Sequence, residues 1–352
     1  MTYSVYQHWD PLKVMAVGIS YPPELYDYIK NDKVRKVFYQ IAEETEQDYQ
    51  KLINLLHSFG VKTVRPDISE EIDMANHCIK NNQTIDKPGS FMQPRDSTIM
   101  LGDTFYAHGN PWAKNLITEV RNNGNKIETT FNTGITINND SIYMNSAMIT
   151  RLGKDLIVGT FEDTPESQLE KIKSIFTEKI PNRRIQVANT NGHTDATFCP
   201  VVPGLILSIA GDYVNYKDTF PNWEVVYLLN ESWNKISEWQ QLKAVNRGKW
   251  WVPGQELNQD FTDYVETWMN HWVGYVEESV FDVNMLIIDK KNVIVNGYNK
   301  LAFDAFSRYG ITPHICNFRH RYFWDGGLHC ITSDLHREGV MEDYFPERNI
   351  IV

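Results

Sequence analysis

The sequence predicts an α/β fold built as a closed ring of repeated ββαβ units. Three observations carry this. One supersecondary pattern recurs along the chain, its strands are short and apolar, and no low-complexity or Pro/Gly/Ser-rich linker divides the 352 residues. The most legible copy begins with the strand Asn284–Ile288, turns at 289–292 and returns through Val293-Ile294-Val295. Lys300–Tyr309 then reads as a helix with Leu301, Ala305 and Phe306 on one face and Gly310 as its stop, before Pro313–Cys316 resumes extended chain. A second copy runs from the strand Asp155–Val158 through a helix Thr164–Lys179 to the strand Arg184–Val187, with Leu169, Ile172, Ile175 and Phe176 as the apolar face. A third places Val14–Val17 before a long amphipathic helix, roughly Lys33 to Phe59, closed by Gly60 and followed by the strand Val61–Val64. An ordinary α/β sheet would give a similar succession of strands and helices. One unit repeated, each copy unable to bury its own face, favours the ring and a single domain over 1–352.

One stretch, around 213–275, breaks this rhythm. Trp223, Trp233, Trp239, Trp250, Trp251, Trp268 and Trp272 crowd into it, which reads as an insertion with its own aromatic packing, an oligomer contact, or a lid over a site.

The composition is that of a globular protein, 42% hydrophobic and 22% charged, with apolar runs too short to span a bilayer. The formal charge of −11 disfavours nucleic acid, which demands a basic surface. Cys78, Cys199, Cys316 and Cys330 are widely spaced, without a CxxC pair, so no metal site or disulfide framework is expected. The opening residues show no basic-then-apolar secretory pattern, and a cytoplasmic location is the expectation.

Three segments carry chemical potential: Pro94-Arg95-Asp96, Asn191-Gly192-His193-Thr194-Asp195, and Asp325-Gly326-Gly327-Leu328-His329-Cys330. Singly, each has a plain explanation: a surface turn with a local ion pair, a zinc-ligand pair or a histidine satisfied by backbone, and a turn leading into a buried thiol. Jointly they suit one electrophile. The central carbon of a guanidinium is deactivated by resonance; carboxylates can grip its planar N–H fork and a thiolate can attack it. A histidine can then protonate the departing amine. Asp96, Asp195, Cys330 and His193 supply these groups without metal or organic cofactor.

These segments, together with Trp9-Asp10-Pro11-Leu12-Lys13, Val17-Gly18, Ala196-Thr197-Phe198 and Pro203–Ser208, resemble the glycine and inosamine-phosphate amidinotransferases, in the family's order and across the chain. The resemblance implies the pentein fold, a five-bladed α/β propeller with the active site on its pseudo-symmetry axis. It also implies Cys330 as nucleophile, His193 as general acid/base, and Asp96 and Asp195 as guanidinium ligands. The partners would be a small guanidino donor and an amine acceptor, with a homodimer left open. Where the family has an aspartate behind the histidine, this chain has Asn145, which can orient an imidazole but not stabilise its charge; a slower enzyme is expected. Asp212 replaces a carboxylate-binding arginine, and Glu277-Glu278 replaces paired serines. Extra acid there would favour a cationic substrate, such as a polyamine or other amine, over the arginine–glycine pair. Two other readings stay open: a deiminase or dihydrolase, with water in place of the amine, and a non-catalytic pentein binding a guanidino ligand or a protein.

Overall fold

The computed structural model describes residues 2–82, 92–107, 111–129, 135–137, 140–142, 145–209, 214–228, 252–255, 257–268 and 281–348. The first unit opens with β1 (Leu12–Val17), passes through the helix α1 (Asp32–Ser58) and ends in β2 (Lys62–Val64). The second contains β3 (Thr98–Leu101), β4 (Thr104–Ala107) and β5 (Lys126–Thr129). A small hairpin, β6 (Ile135–Ile137) with β7 (Asp140–Ile142), follows it. Next come β8 (Ile149–Leu152), β9 (Asp155–Thr160) and β10 (Arg184–Asn189), then β11 (Phe198–Val202), β12 (Leu205–Ser208) and β13 (Glu224–Tyr227). The last unit comprises β14 (Leu286–Asp289), β15 (Asn292–Val295) and β16 (Thr312–Ile315), after which β17 (Thr332–Arg337) ends the strand order.

Among the described residues these strands form five three-stranded sheets of one design. Each sheet joins an antiparallel pair to a parallel third strand, and a helix intervenes before that third strand, as parallel pairing requires. The first unit borrows β17 as its leading strand, antiparallel to β1, so the two ends of the described chain complete one sheet. The leading hairpin turns at Gly102, Gly153 and Gly204 in three units, all with positive φ, which a glycine adopts at no steric cost. Strands β8, β9, β11 and β12 are buried at every position, as expected for sheets covered on both faces.

The helices sit where the periodicity places them. Asn31 caps α1 by accepting from the Lys33 and Val34 amides. Asn299 caps Lys300–Tyr309 in the same way, and Gly310 ends that helix in the left-handed conformation. Its buried face is Ala302, Ala305 and Phe306, with Leu301 only partly covered. The helix expected from Thr164 starts at Glu166, after Pro165, and buries Ile172 and Phe176; Ile175 and Leu169 lie at its half-buried flank. Within 213–275, Trp223 packs on Trp9 and Phe345, and β13 completes the fourth sheet. The helix Gln259–Trp268 sends Phe261 against Phe38 of α1. Trp233, Trp239, Trp250, Trp251 and Trp272 lie outside the described residues.

The centre of the ring is charged rather than oily. Asp334 on β17, fully buried, receives Arg95 at 2.9 Å, Arg151 of β8 at 2.5 Å and Arg337 at 2.7 Å. The same guanidinium groups reach the carbonyls of Thr332, Met100, Asp10 and Ile287. Three arginines from different units thus meet on one carboxylate, which their charge holds well below the usual range despite its burial.

Candidate active site

Each unit offers one or two polar or nucleophilic residues at the same place, the turn just ahead of its leading strand. Asp96 lies in the helical turn Pro94–Ser97 before β3, and Asn145 heads the turn Ser146–Met148 before β8. His193 and Asp195 flank and enter the turn Thr194–Ala196 before β11. Asn284 precedes β14, and Cys330 precedes β17. Since the units are arranged alike, equivalent positions converge, and the turns bearing Asp96, Asn145 and Asp195 pack on one another in sequence. The structure therefore brings together Cys330, His193, Asn145, Asp96 and Asp195, and adds Asn284 from the fifth unit. Asp212, Glu277 and Glu278 lie outside the described residues.

Local contacts fix these turns. Thr194 donates to the Ala147 carbonyl at 3.0 Å and meets Thr150 at 2.8 Å, tying the His193 segment to the Asn145 segment. A Cβ at Gly159 would lie 2.3 Å from Thr190 Oγ1 and 2.5 Å from the Gly192 carbonyl, so the loop bearing His193 can approach β9 only over a glycine. Gln93 donates to the carbonyls of Trp324 and Asp325 at 2.8 and 2.7 Å, joining the Asp96 turn to the Cys330 segment. Arg95 is not in a surface turn; it is buried on Asp334, so the Pro-Arg-Asp motif joins the central ion cluster to the site. The Asn145 carboxamide hydrogen-bonds His193 Nε2, the contact needed to hold that imidazole.

Around the sulfur, Cys330 Sγ lies 3.5 Å from Asp195 Oδ2, which also accepts from His329 Nδ1 at 2.7 Å. The other oxygen, Asp195 Oδ1, is buried with no hydrogen-bond partner among the described residues. Burial by itself would raise the Asp195 carboxyl, but the His329 hydrogen bond and the nearby imidazoles and Arg95 outweigh it and leave it lowered. Asp96 goes the other way. Burial pushes it up to about 6, with Asp195 adding to the rise and His193 and Arg95 opposing it. Cys330 is raised well above an ordinary thiol by burial and by Asp195 and Asp96, with the Asn284 hydrogen bond opposing them. His329 is lowered by burial and Arg95 against the pull of Asp195.

Asp195 and Asp96 thus place two carboxylates in the field of a buried thiol, and both raise it. A small recess of about 20 Å³, lined by His8, Thr150, Asp195, Cys199 and His329, lies behind Asp195 with room for one water. A larger cavity of about 830 Å³, lined by Ile19, Tyr21, Glu46 and Arg65 among others, contains none of these residues.

The architecture matches solved structures over nearly its whole length. SxtG, an amidinotransferase of the saxitoxin biosynthetic pathway from Microseira wollei, superposes with a TM-score of 0.63 at 16% identity, over 98% of this chain and 100% of that one. The inosamine-phosphate amidinotransferase StrB1 of Streptomyces griseus gives 0.61 at 17% identity, over 97% and 99%. The fold is the pentein fold. By sequence, this chain is 23% identical over 204 residues to the L-arginine:L-lysine amidinotransferase of Pseudomonas savastanoi pv. phaseolicola, covering 56% of the chain. The chain spans about half the length of that relative, 46%. No protein-family model matches this chain. The resemblance to amidinotransferases read from the motifs is thus found again in both sequence and fold.

Sequence reasoning missed Asn284, His329 and the Asp334 cluster. Asn284 reads as the first residue of an apolar strand, and only its polarity at the head of that run signals otherwise. Gly327 carries the other signal. A Cβ there would lie 2.7 Å from Asn284 Oδ1, so one glycine of the Gly-Gly pair exists to admit the asparagine, not merely to turn the chain.

Proposed function

We propose that this chain is an amidinotransferase that moves an amidino group from a guanidino donor to an amine through a covalent Cys330 intermediate. The observation that carries this is the buried thiol on Asp195, in one electrostatic field with Asp96 and His193. In this reading Asp96 and Asp195 hold the planar donor cation and bring its central carbon to the sulfur. Its charge offsets theirs, so donor binding itself favours transfer of the thiol proton to His193. The sulfur bonds to carbon, the donor C–N bond breaks, and the amine leaves with a proton from His193. An incoming amine then gives a proton to His193, bonds to the amidino carbon and frees the sulfur. Asn145 fixes the imidazole plane throughout. The formal charge of −11, and acids at 212, 277 and 278 where the resembled family has arginine or serine, support a cationic donor or acceptor rather than the arginine–glycine pair.

The test is intact-protein mass spectrometry after brief incubation with arginine, and separately agmatine, with Cys330→Ala as control. An added amidino mass that needs Cys330 and disappears when an amine is supplied is the expected result. Release of ammonia or urea without added amine would replace this reading with hydrolysis. Binding of donor with no adduct and no product would replace it with a non-catalytic role.

A further inference from the structure

Asn284 is the fifth unit's counterpart of Asp96, Asn145, Asp195 and Cys330, placed like them ahead of a leading strand. It is 2% exposed, yet its carboxamide has a partner in every direction. Oδ1 accepts the backbone amides of His329 at 2.9 Å and Cys330 at 3.1 Å. Nδ2 donates to Cys330 Sγ at 2.9 Å and to the Asp195 carbonyl at 3.2 Å. Two N–H donors converge on one end of the amide, so that end must be the oxygen, and the NH₂ end must face sulfur and carbonyl. The backbone is held as firmly: Asn296 donates to the Asn284 carbonyl at 3.1 Å and to that of Phe281 at 2.9 Å.

We infer that Asn284 is a catalytic residue whose side-chain N–H holds the Cys330 sulfur and stabilises it as thiolate. An N–H aimed at sulfur favours the charged form over the thiol, because a charged acceptor makes the stronger bond. The rest of the pocket opposes that form through burial and two carboxylates, and the Asn284 hydrogen bond pulls the other way. The same side chain anchors the His329 and Cys330 amides, so sulfur position and sulfur charge are set by one group. The inference rests on Cys330 being the nucleophile, as proposed above.

The test replaces Asn284 by aspartate, which keeps the shape and the acceptor for both amides but turns the donor facing sulfur into an oxygen. Alkylation by iodoacetamide is followed against pH on the Cys330 peptide by mass spectrometry, so that Cys78, Cys199 and Cys316 do not interfere, with Cys330→Ser as blank. The expected result for Asn284→Asp is a rise of about one unit or more in the apparent thiol pKa. That corresponds to roughly tenfold slower alkylation of Cys330 at pH 8. Asn284→Ala shifts the profile in the same direction by less. An Asn284→Asp protein that melts like the parent and alkylates with an unchanged profile overturns the inference. If Asn284→Asp does not fold, an unchanged profile in Asn284→Ala overturns it equally. Alkylation needs no guanidino donor. A shifted profile in a protein whose parent forms no amidino adduct therefore supports the role of Asn284 on sulfur while removing the donor chemistry.

Discussion

Replacing Asp334 by asparagine keeps the outline of a fully buried side chain and deletes the charge on which Arg95, Arg151 and Arg337 converge. Removing one partner of a buried ion pair costs about 3–5 kcal/mol, because the surviving charge is left in a poorly solvating interior. The guanidinium groups retain their carbonyl acceptors at Thr332, Met100, Asp10 and Ile287, so the loss is one such term and not three. Against a total stability on the order of 5–15 kcal/mol this is a large fraction. In urea, with a slope near 3 kcal/mol per molar, the midpoint falls by about 1–2 M. The pH dependence has a definite sign. Asp334 is depressed in the folded state, so its contribution is complete above the unfolded carboxylate value near 4 and is lost as pH falls through its own lower pKa. The gap between parent and variant is therefore constant from pH 8 to pH 5 and narrows in stronger acid. Equal urea midpoints at pH 7, or a gap that widens in acid, would refute the view that this carboxylate neutralises the centre of the ring.

Other outcomes follow from the site. Asp96 is raised to about 6, so its ionised form is penalised fully above that pH and not below about 4. Asp96→Asn should accordingly gain on the order of 1–2 kcal/mol in thermal unfolding at pH 8, a shift of about two units discounted for partial exposure, while losing donor binding. Parent kcat/KM for the donor should fall as pH drops below about 6. Asn145→Asp places a charge against the His193 imidazole and should raise turnover by roughly tenfold; a single-turnover rate equal to the parent's would show that charge is not limiting. Gly327→Ala drives a Cβ to 2.7 Å from Asn284 Oδ1 and should slow Cys330 alkylation by about tenfold, with a loss of about 1–3 kcal/mol by denaturation. Unchanged alkylation in that variant would mean that the asparagine can move aside without consequence.

The repeat was legible because its signals are local. The apolar run ahead of Lys300–Tyr309, the helix face and the terminating Gly310 all lie within one unit and need no knowledge of the others. That Cys330, His193, Asp96 and Asp195 would lie together was legible because their residue types are chemically matched even when far apart in sequence. Asn284 was not, because nothing in Val283-Asn284-Met285 marks a carboxamide whose partners lie at 195, 329 and 330. Nor was the Asp334 cluster, since Arg95, Arg151 and Arg337 look like surface charges until folding stacks their units. Convergence of equivalent positions is a property of the ring, invisible to a window that moves along one unit at a time.

The pairing of β17 with β1 ties residues 332–337 to residues 12–17, a link of very long sequence separation. A chain emerging from the ribosome makes β1 early and leaves it without this antiparallel neighbour until the strand after Cys330 appears. Contacts so remote form late, since closing the intervening loop costs entropy before any pairing rewards it. The proposed nucleophile lies just ahead of that strand, and the groups that would tune it, Asp195 and Asn284, wait on other units. The contacts of Cys330 with Asp195 and Asn284 therefore form only as the ring seals, so closure of the fold and assembly of the proposed site arrive together.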